Sequence, residues 1–103
     1  MSIVSHISES GESVKIVIQG RFDFGSHQDF RESYDKNEST VKEYVVDMAE
    51  TSYLDSSALG MLLLLRDHAG SDAVIKIINC NADVFKIFEI SNFDQMFEIS
   101  TAV

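Results

Sequence analysis

The chain has 103 residues, 45% of them hydrophobic and 24% charged, which is typical of one globular domain spanning residues 1–103. Its formal net charge of −9 repels phosphate backbones and anionic lipids, which argues against nucleic acid and membrane partners. We find no apolar run near the roughly 20 residues of a membrane span and no export signal, and the single cysteine cannot form an internal disulfide. These features predict a cytoplasmic protein.

The N-terminal part of the chain predicts an antiparallel β-hairpin. Residues 2–8 form the first predicted strand, and Ser10-Gly11-Glu12 forms a turn. Residues 13–20 form the second predicted strand. Its strongly apolar residues Val14, Ile16 and Ile18 occupy every second position, as in a strand with one buried face.

A helix is predicted within residues 21–39. Ser26 is the expected N-cap, and Asp29, three residues later, takes the place of the Glu in a capping box. Phe30 and Tyr34 lie four residues apart on one face, which favours packing against a sheet. Asp23 ends the preceding strand. It is either a turn residue, the commoner case, or a functional group at a strand end.

The rest of the chain alternates strands with helices. The predicted elements are a strand at 43–49, a helix from Ser56 to His68 ended by Gly70, a strand at 73–80, a helix within 81–93 and a strand at 96–100. Asn81 is the expected cap of the last helix, with Val84, Ile87 and Phe88 on one side. This order predicts an α/β fold: an N-terminal hairpin, then a mostly parallel sheet of four to five strands with about three helices. Each parallel crossover should be right-handed.

Asp55-Ser56-Ser57 precedes the most apolar segment of the chain. Asp and Ser are preferred N-caps, so these side chains are candidates for starting a helix. The same position suits a phosphoserine, because a helix N-terminus offers free N–H groups and partial positive charge. Phosphate would add about two negative charges and would disfavour a surface that had accepted a neutral hydroxyl. Capping and switching are compatible roles.

The run Met61–Leu65 surrounds most of a helix rather than forming a stripe. Such a helix is either buried on nearly all sides or exposes apolar residues to a partner. Two layers of structure rarely bury a whole helix in a domain this small. We therefore expect one or two of these residues, Met61 or Leu62, to contact a partner.

Catalytic and metal chemistry finds little support in the sequence. His6, His27 and His68 fall in different predicted elements without metal-ligand spacing, and no Gly-rich phosphate loop or G-x-S-x-G turn is present. Ser56 has no identifiable base, so a small serine hydrolase is a remote alternative. Cys80 follows an apolar strand and is expected to be buried and unreactive. We predict no enzyme activity, no cofactor and no metal.

Two short motifs resemble the STAS-domain anti-sigma factor antagonists of bacteria. The box Asp55-Ser56-Ser57-Ala58-Leu59-Gly60 is similar to the family's Asp-Ser-Ser/Thr-Gly-Leu-Gly, and Gly20-Arg21-Phe22-Asp23 is similar to its Gly-Glu-x-Asp. The segment 88–97 resembles a further family region. The resemblance covers nearly the whole chain in the same order. It implies a phosphorylation-controlled binding protein rather than an enzyme.

The resemblance places the phosphoacceptor at Ser56. The unphosphorylated form would bind an anti-sigma factor that is also a serine kinase and release a sigma factor, and a dedicated phosphatase would reverse the phosphorylation. The implied contact surface includes Asp23, Asp55, Ser57 and apolar groups of the following helix. ATP belongs to the kinase, and the free protein is expected to be a monomer. A constitutive STAS scaffold or regulatory subunit without phosphorylation is the alternative.

The match is closest to stand-alone antagonists of Gram-negative bacteria. These often work with a response regulator that carries phosphatase and kinase-like domains, and they influence motility, biofilm or stress programmes. The sequence departs from the family pattern at two places, and each departure leads to a prediction. Ala58 replaces a glycine, which keeps the helix but places a methyl where it narrows a kinase's approach to Ser56. The sequence stops at Val103, without the family's usual final helix, which would leave part of the sheet uncovered as a dimer surface or altered partner footprint.

Overall fold

The computed structural model describes residues 2–35 and 41–101. The last part of the helical segment predicted within 21–39, and residues 102–103 at the C-terminus, lie outside these ranges. The helices and strands of the described residues, in chain order, are β1 (Ser2–Ile7), β2 (Ser13–Phe22), α1 (His27–Asp35), β3 (Glu43–Asp47), β4 (Thr51–Leu54), α2 (Ser56–Ala69), β5 (Val74–Cys80), α3 (Ala82–Ile90) and β6 (Glu98–Thr101), with short 3₁₀ turns at Phe24–Ser26 and Phe93–Gln95.

The described strands form one mostly parallel sheet, so the predicted fold class is confirmed. The strand order is β1-β2-β3-β5-β6, with β4 beside the last part of β2. Strands β1 and β2 form the predicted antiparallel hairpin, and the other neighbouring strands are parallel. Four to five strands were expected from the sequence, and β4 is the strand that was not predicted. This strand has four residues and is buried only at its two ends, so it shows no alternating pattern.

Strand β2 is long enough to serve two neighbours in turn. It pairs with β3 from Ser13 to Val17 and with β4 from Gly20 onward. The register shifts between Gly20 and Arg21, and the φ of Gly20 is 87°, a left-handed conformation that a side chain would disfavour. This irregularity directs the last three residues of β2 toward β4 and the start of α2.

The core lies between one face of the sheet and the helices. Register aligns the buried residues of the central strands, so that Ile16, Val46 and Ile77 lie side by side. Phe30 and Tyr34 of α1 are buried, as predicted from their spacing. On the opposite face, ion pairs join neighbouring strands, with 3.0 Å between Lys76 Nζ and Glu43 Oε2.

The later helices begin and end close to their predicted limits. Helix α2 runs from Ser56 to Ala69, and Gly70 follows it with a φ of 79°. Asn81 caps α3 by accepting a hydrogen bond from the Val84 N–H at 2.9 Å. The predicted final helical residues, 91–93, instead lead into the 3₁₀ turn. None of the helices in the described ranges is long and apolar enough to cross a membrane.

Candidate functional site

The carboxyl ends of β2 and β4 bring two strand-to-helix turns together. Phe22 pairs with Leu54, and the Asp55 N–H donates a hydrogen bond to the Phe22 carbonyl at 3.4 Å. Asp23 and Asp55 each come one residue after this pair, at the same edge of the sheet. We call the two segments the Asp23 turn (residues 23–26) and the Asp55 turn (residues 55–58).

Asp55 is the N-cap of α2. Its backbone is extended, and its Oδ1 accepts a hydrogen bond from the Ala58 N–H at 3.0 Å. Ser56 is therefore the first helical residue and not the cap. Its side chain is exposed, and its hydroxyl makes no hydrogen bond to any residue in the described ranges. The structure thus leaves this hydroxyl without a role in starting the helix.

Asp23 caps the other turn, a 3₁₀ turn that precedes α1. Asp23 Oδ1 accepts a hydrogen bond from the Gly25 N–H at 3.0 Å, and the Asp23 N–H donates to Ser26 Oγ at 3.2 Å. The Ser26 hydroxyl in turn donates to the Arg21 carbonyl at 3.2 Å and is fully buried. The predicted helix start is confirmed, because α1 begins at His27, directly after Ser26. Asp23, three residues earlier, caps a 3₁₀ turn that was not predicted, and the capping box from Ser26 to Asp29 stays a prediction.

Exposed aromatic and cationic groups lie beside the two turns. Arg21 Nε is 3.3 Å from Asp23 Oδ2, and the Arg21 guanidinium carbon is 4.1 Å from the centre of the Tyr53 ring. Phe24, in the Asp23 turn, is 75% exposed. Phe24 and Tyr53 were not predicted as site residues. The signal for Phe24 was a large apolar residue between the end of β2 and the start of α1, in a segment too short to bury it.

Helix α2 has one buried and one exposed face. Its buried residues follow the spacing i, i+3, i+4, i+7: Ala58, Met61, Leu62 and Leu65. The prediction that Met61 or Leu62 contacts a partner is wrong for this structure, because only 3% and 0% of these residues are exposed. Leu63 and Leu64 are the exposed leucines of the run, at 42% and 51%. They share the exposed side of α2 with Ser56 and Gly60, whereas Ser57 is half-buried.

Ala58 does not affect the approach to Ser56 in the way the sequence suggested. It is fully buried and belongs to the hydrophobic core. Its methyl group therefore lies under the helix and not over the Ser56 hydroxyl. The departure from glycine at this position fills core space and leaves the solvent side of the turn open.

A third aspartate, Asp47, ends β3 and has a structural environment. Its Oδ1 accepts hydrogen bonds from the Ala49 N–H at 3.0 Å and from Asn79 Nδ2 at 3.1 Å, and its Oδ2 is 3.6 Å from Lys15 Nζ. Burial alone would raise the pKa of this carboxyl, but the hydrogen bonds and the lysine outweigh it, so the pKa is lowered.

Other candidate chemical groups are separated or inert. Burial raises the pKa of the Cys80 thiol to about 11, so it is protonated at neutral pH and a poor nucleophile. The three histidines lie in β1, α1 and α2. Within residues 2–35 and 41–101, no three His, Cys, Asp or Glu side chains are placed to hold a metal ion.

Comparisons with known proteins agree on one family. A family model described as "Mlab, STAS domain" matches residues 5–99. A STAS-domain containing protein of Pseudomonas aeruginosa (strain UCBPP-PA14) is 56% identical over 101 residues, which cover 97% of this chain and 100% of that protein.

Solved structures with the same fold include both forms of a phosphorylated regulator. The anti-sigma factor antagonist SpoIIAA in its unphosphorylated form has a TM-score of 0.77 at 16% identity, covering 99% of this chain and 90% of that one. The Bacillus cell fate determinant SpoIIAA in its phosphorylated form has a TM-score of 0.73 at 18% identity, covering 97% and 92%. At these identities the likeness shows a shared fold.

Proposed function

Because this chain belongs to the STAS-domain family, we propose that it is an anti-sigma factor antagonist controlled by phosphorylation of Ser56. The unphosphorylated form binds a kinase-type anti-sigma factor, or an equivalent regulator, and releases what that partner restrains. Phosphate on Ser56 blocks binding. The observation that carries the proposal is the Ser56 hydroxyl, which is exposed and makes no hydrogen bond to any described residue, since Asp55 and not Ser56 caps the helix.

A phosphate is compatible with the fold at this position. Ser56 is the first residue of α2, where N–H groups and the helix dipole favour negative charge. The Asp55–Ala58 hydrogen bond does not involve the Ser56 side chain, so phosphorylation need not disturb the cap. The switch is therefore local: the modification changes the binding surface and leaves the core as it is.

The phosphate opposes binding through charge and size. A kinase holds its nucleotide phosphates close to the hydroxyl that it modifies, so a phosphate on Ser56 meets like charge there. It also separates the two surfaces where Ser56, Gly60 and Leu63 share the exposed side of α2. Asp23 and Asp55 lie at the edge of this contact. A serine phosphatase, fused to or controlled by a response regulator, restores the binding form, and the output is transcription of motility, biofilm or stress genes.

Three observations support binding rather than catalysis as the role of Ser56. Among the described residues no histidine or carboxylate hydrogen-bonds to its hydroxyl, as a nucleophile would require. The family model describes STAS domains. The structural relatives include SpoIIAA in phosphorylated and unphosphorylated forms, so this fold accommodates that modification in another protein.

The test combines mass spectrometry with partner capture. Protein purified from its host with phosphatase inhibitors should carry one phosphate in the peptide 53–66, at Ser56. Ser56→Ala should retain a kinase-like partner that Ser56→Asp loses. The matched control is Ser71→Asp, which adds the same charge to an exposed serine beyond the other end of α2 and should bind normally.

Two other outcomes would replace the proposal. If no phosphate is found in any growth condition, and Ser56→Ala and Ser56→Asp hold the same partner equally well, the protein is a constitutive scaffold or regulatory subunit. If a fluorophosphonate probe labels Ser56, the serine is a nucleophile and the hydrolase alternative returns.

A further inference from the structure

We propose that Phe24 anchors the partner of the Ser56 surface by entering an apolar pocket whose rim is lined with lysine or arginine. The inference rests on the proposed function, because it assigns the contact residue and the partner chemistry of that same surface. Phe24 has the highest exposed fraction of the large hydrophobic side chains in the described ranges, at 75%. Full burial of such a ring on binding is strongly favourable.

The backbone beneath Phe24 is fixed before any partner arrives. The Asp23 carboxylate accepts a hydrogen bond from the Gly25 N–H, and the Ser26 N–H donates to the Asp23 carbonyl at 2.8 Å. The buried Ser26 hydroxyl bonds to both the Asp23 N–H and the Arg21 carbonyl. A side chain presented from an ordered turn loses less conformational entropy on binding than one on a flexible loop. Phe24 is therefore pre-organised as a contact.

The location of Phe24 connects it to the proposed switch. Phe24 and Ser56 each lie two residues beyond the paired residues Phe22 and Leu54, on parallel strands that end at one edge. The 3.4 Å hydrogen bond from the Asp55 N–H to the Phe22 carbonyl joins the two turns directly. A partner that covers the Ser56 hydroxyl consequently meets the Asp23 turn as well.

The neighbours of Phe24 have the composition of a protein interface. Tyr53 is 42% exposed, and the Arg21 guanidinium stacks over its ring. Aromatic residues and arginine are the types enriched where single side chains dominate binding energy. Arg21 also pairs with Asp23, so its positive charge is partly neutralised.

Charge identifies the chemistry of the rim. Asp23 precedes Phe24 in the chain, Asp55 lies in the turn that is hydrogen-bonded to Phe22, and Asp29 lies in the first turn of α1. The whole chain carries a net charge of −9. A partner surface of the same sign would be repelled, whereas lysine or arginine around the pocket would complement these carboxylates. The contact should therefore combine an apolar centre with peripheral charge pairs that salt weakens.

The experiment titrates a purified partner against variants of the full chain. The partner is the protein that Ser56→Ala captures and Ser56→Asp loses, identified by mass spectrometry and then purified. Phe24→Ala should weaken its binding by about 30-fold or more, as expected for a dominant aromatic contact. Ile90→Ala is the matched control, because Ile90 is 73% exposed on α3 and should leave affinity unchanged. Thermal unfolding should be the same for both variants and the wild type.

The possible results separate this inference from the proposed function. If Ser56→Asp abolishes binding but Phe24→Ala binds like the wild type, the switch stands and the anchor is overturned. The anchor is also overturned if Ile90→Ala loses as much affinity as Phe24→Ala. The basic rim is overturned if the affinity of the wild type stays the same when salt is raised from about 50 to about 300 mM, which shortens the Debye length on the order of twofold. If no protein distinguishes Ser56→Ala from Ser56→Asp, both proposals fail together.

Discussion

The Asp23 and Asp55 turns use the same chemistry with opposite results. In each, an aspartate follows a paired strand residue and caps the backbone that comes next. A serine then follows in each turn, but Ser26 is buried and bonded at both its donor and its acceptor positions, whereas Ser56 is exposed and makes no side-chain hydrogen bond within the described ranges. One hydroxyl belongs to the fold and the other does not.

The position of the serine relative to the capping aspartate explains this difference. Ser26 is three residues after Asp23, where its hydroxyl reaches back to the Asp23 N–H in a capping box. Ser56 is one residue after Asp55, where a side chain at the first helical position points away from the cap. In these two turns, the presence of a capping aspartate and a serine does not distinguish the buried hydroxyl from the exposed one. The number of residues between the aspartate and the serine does.

The largest expected effect concerns the helix that follows the Asp55 turn and tests where its buried face lies. Leu62→Ala should lower the free energy of unfolding by about 3 kcal/mol, because it leaves a cavity in the core. Leu63→Ala, one position away and exposed, should change it by less than about 0.5 kcal/mol. Urea unfolding of both variants provides the measurement. Equal losses would mean that α2 is rotated relative to this structure.

The second effect separates the two serines directly. Ser26→Ala should destabilise the protein by about 2 kcal/mol, because it removes a buried hydroxyl and two part-buried hydrogen bonds, one from the Asp23 N–H and one to the Arg21 carbonyl. Ser56→Ala should stay within about 0.5 kcal/mol of the wild type. Thermal or urea denaturation of the two single variants decides the point. A destabilised Ser56→Ala protein would show that the Ser56 hydroxyl does support the helix start.

The smallest expected effect on stability concerns Asp47, the third aspartate at a strand end. Asp47→Asn should cost about 1 kcal/mol at pH 7, because it weakens the hydrogen bonds from Ala49 and Asn79 and the ion pair with Lys15. The pKa of Asp47 is lower in the folded than in the unfolded chain. Its contribution is therefore fully present above about pH 4 and is lost as the pH falls through the folded-state pKa.

Unfolding of this variant and the wild type between pH 7 and pH 3 should show the difference shrinking in acid. Asp72→Asn is the control, since Asp72 is exposed and no hydrogen bond or ion pair to it is found in residues 2–35 and 41–101. A difference that persists unchanged at pH 3 would mean that packing of the carboxyl group, and not its charge, supports this edge of the sheet.

The parts of the fold that repeat regularly were predictable from the sequence. Alternation at Val14, Ile16 and Ile18 predicted β2, and the pair Phe30 and Tyr34 predicted the buried face of α1. Strand β4 escaped prediction because four residues are too few to show a period. The fold class depended only on the longer elements and was therefore correct.

The site was harder to predict because it depends on which of several similar, neighbouring residues is exposed and which is buried or caps a turn. Ser26 marked the start of α1 correctly, but the sequence did not reveal the 3₁₀ turn before it, which Asp23 caps. The five residues Met61–Leu65 are all apolar, so no alternation with polar residues shows which of them face the sheet. In the structure Ala58, three residues before the run, and Leu65, its last residue, are both buried and show which side of α2 faces the sheet.

The Asp55 cap has a consequence for how a cell would receive a signal from this protein. The hydrogen bond from Ala58 to Asp55 is independent of the Ser56 side chain, and the helix dipole favours negative charge there, so phosphorylation should not lower the free energy of unfolding. Proteases that act on unfolded chains would then not remove the modified form faster than the unmodified one. The signal would reside in the ratio of the two forms, and each cycle of modification could return the same molecules to the binding form.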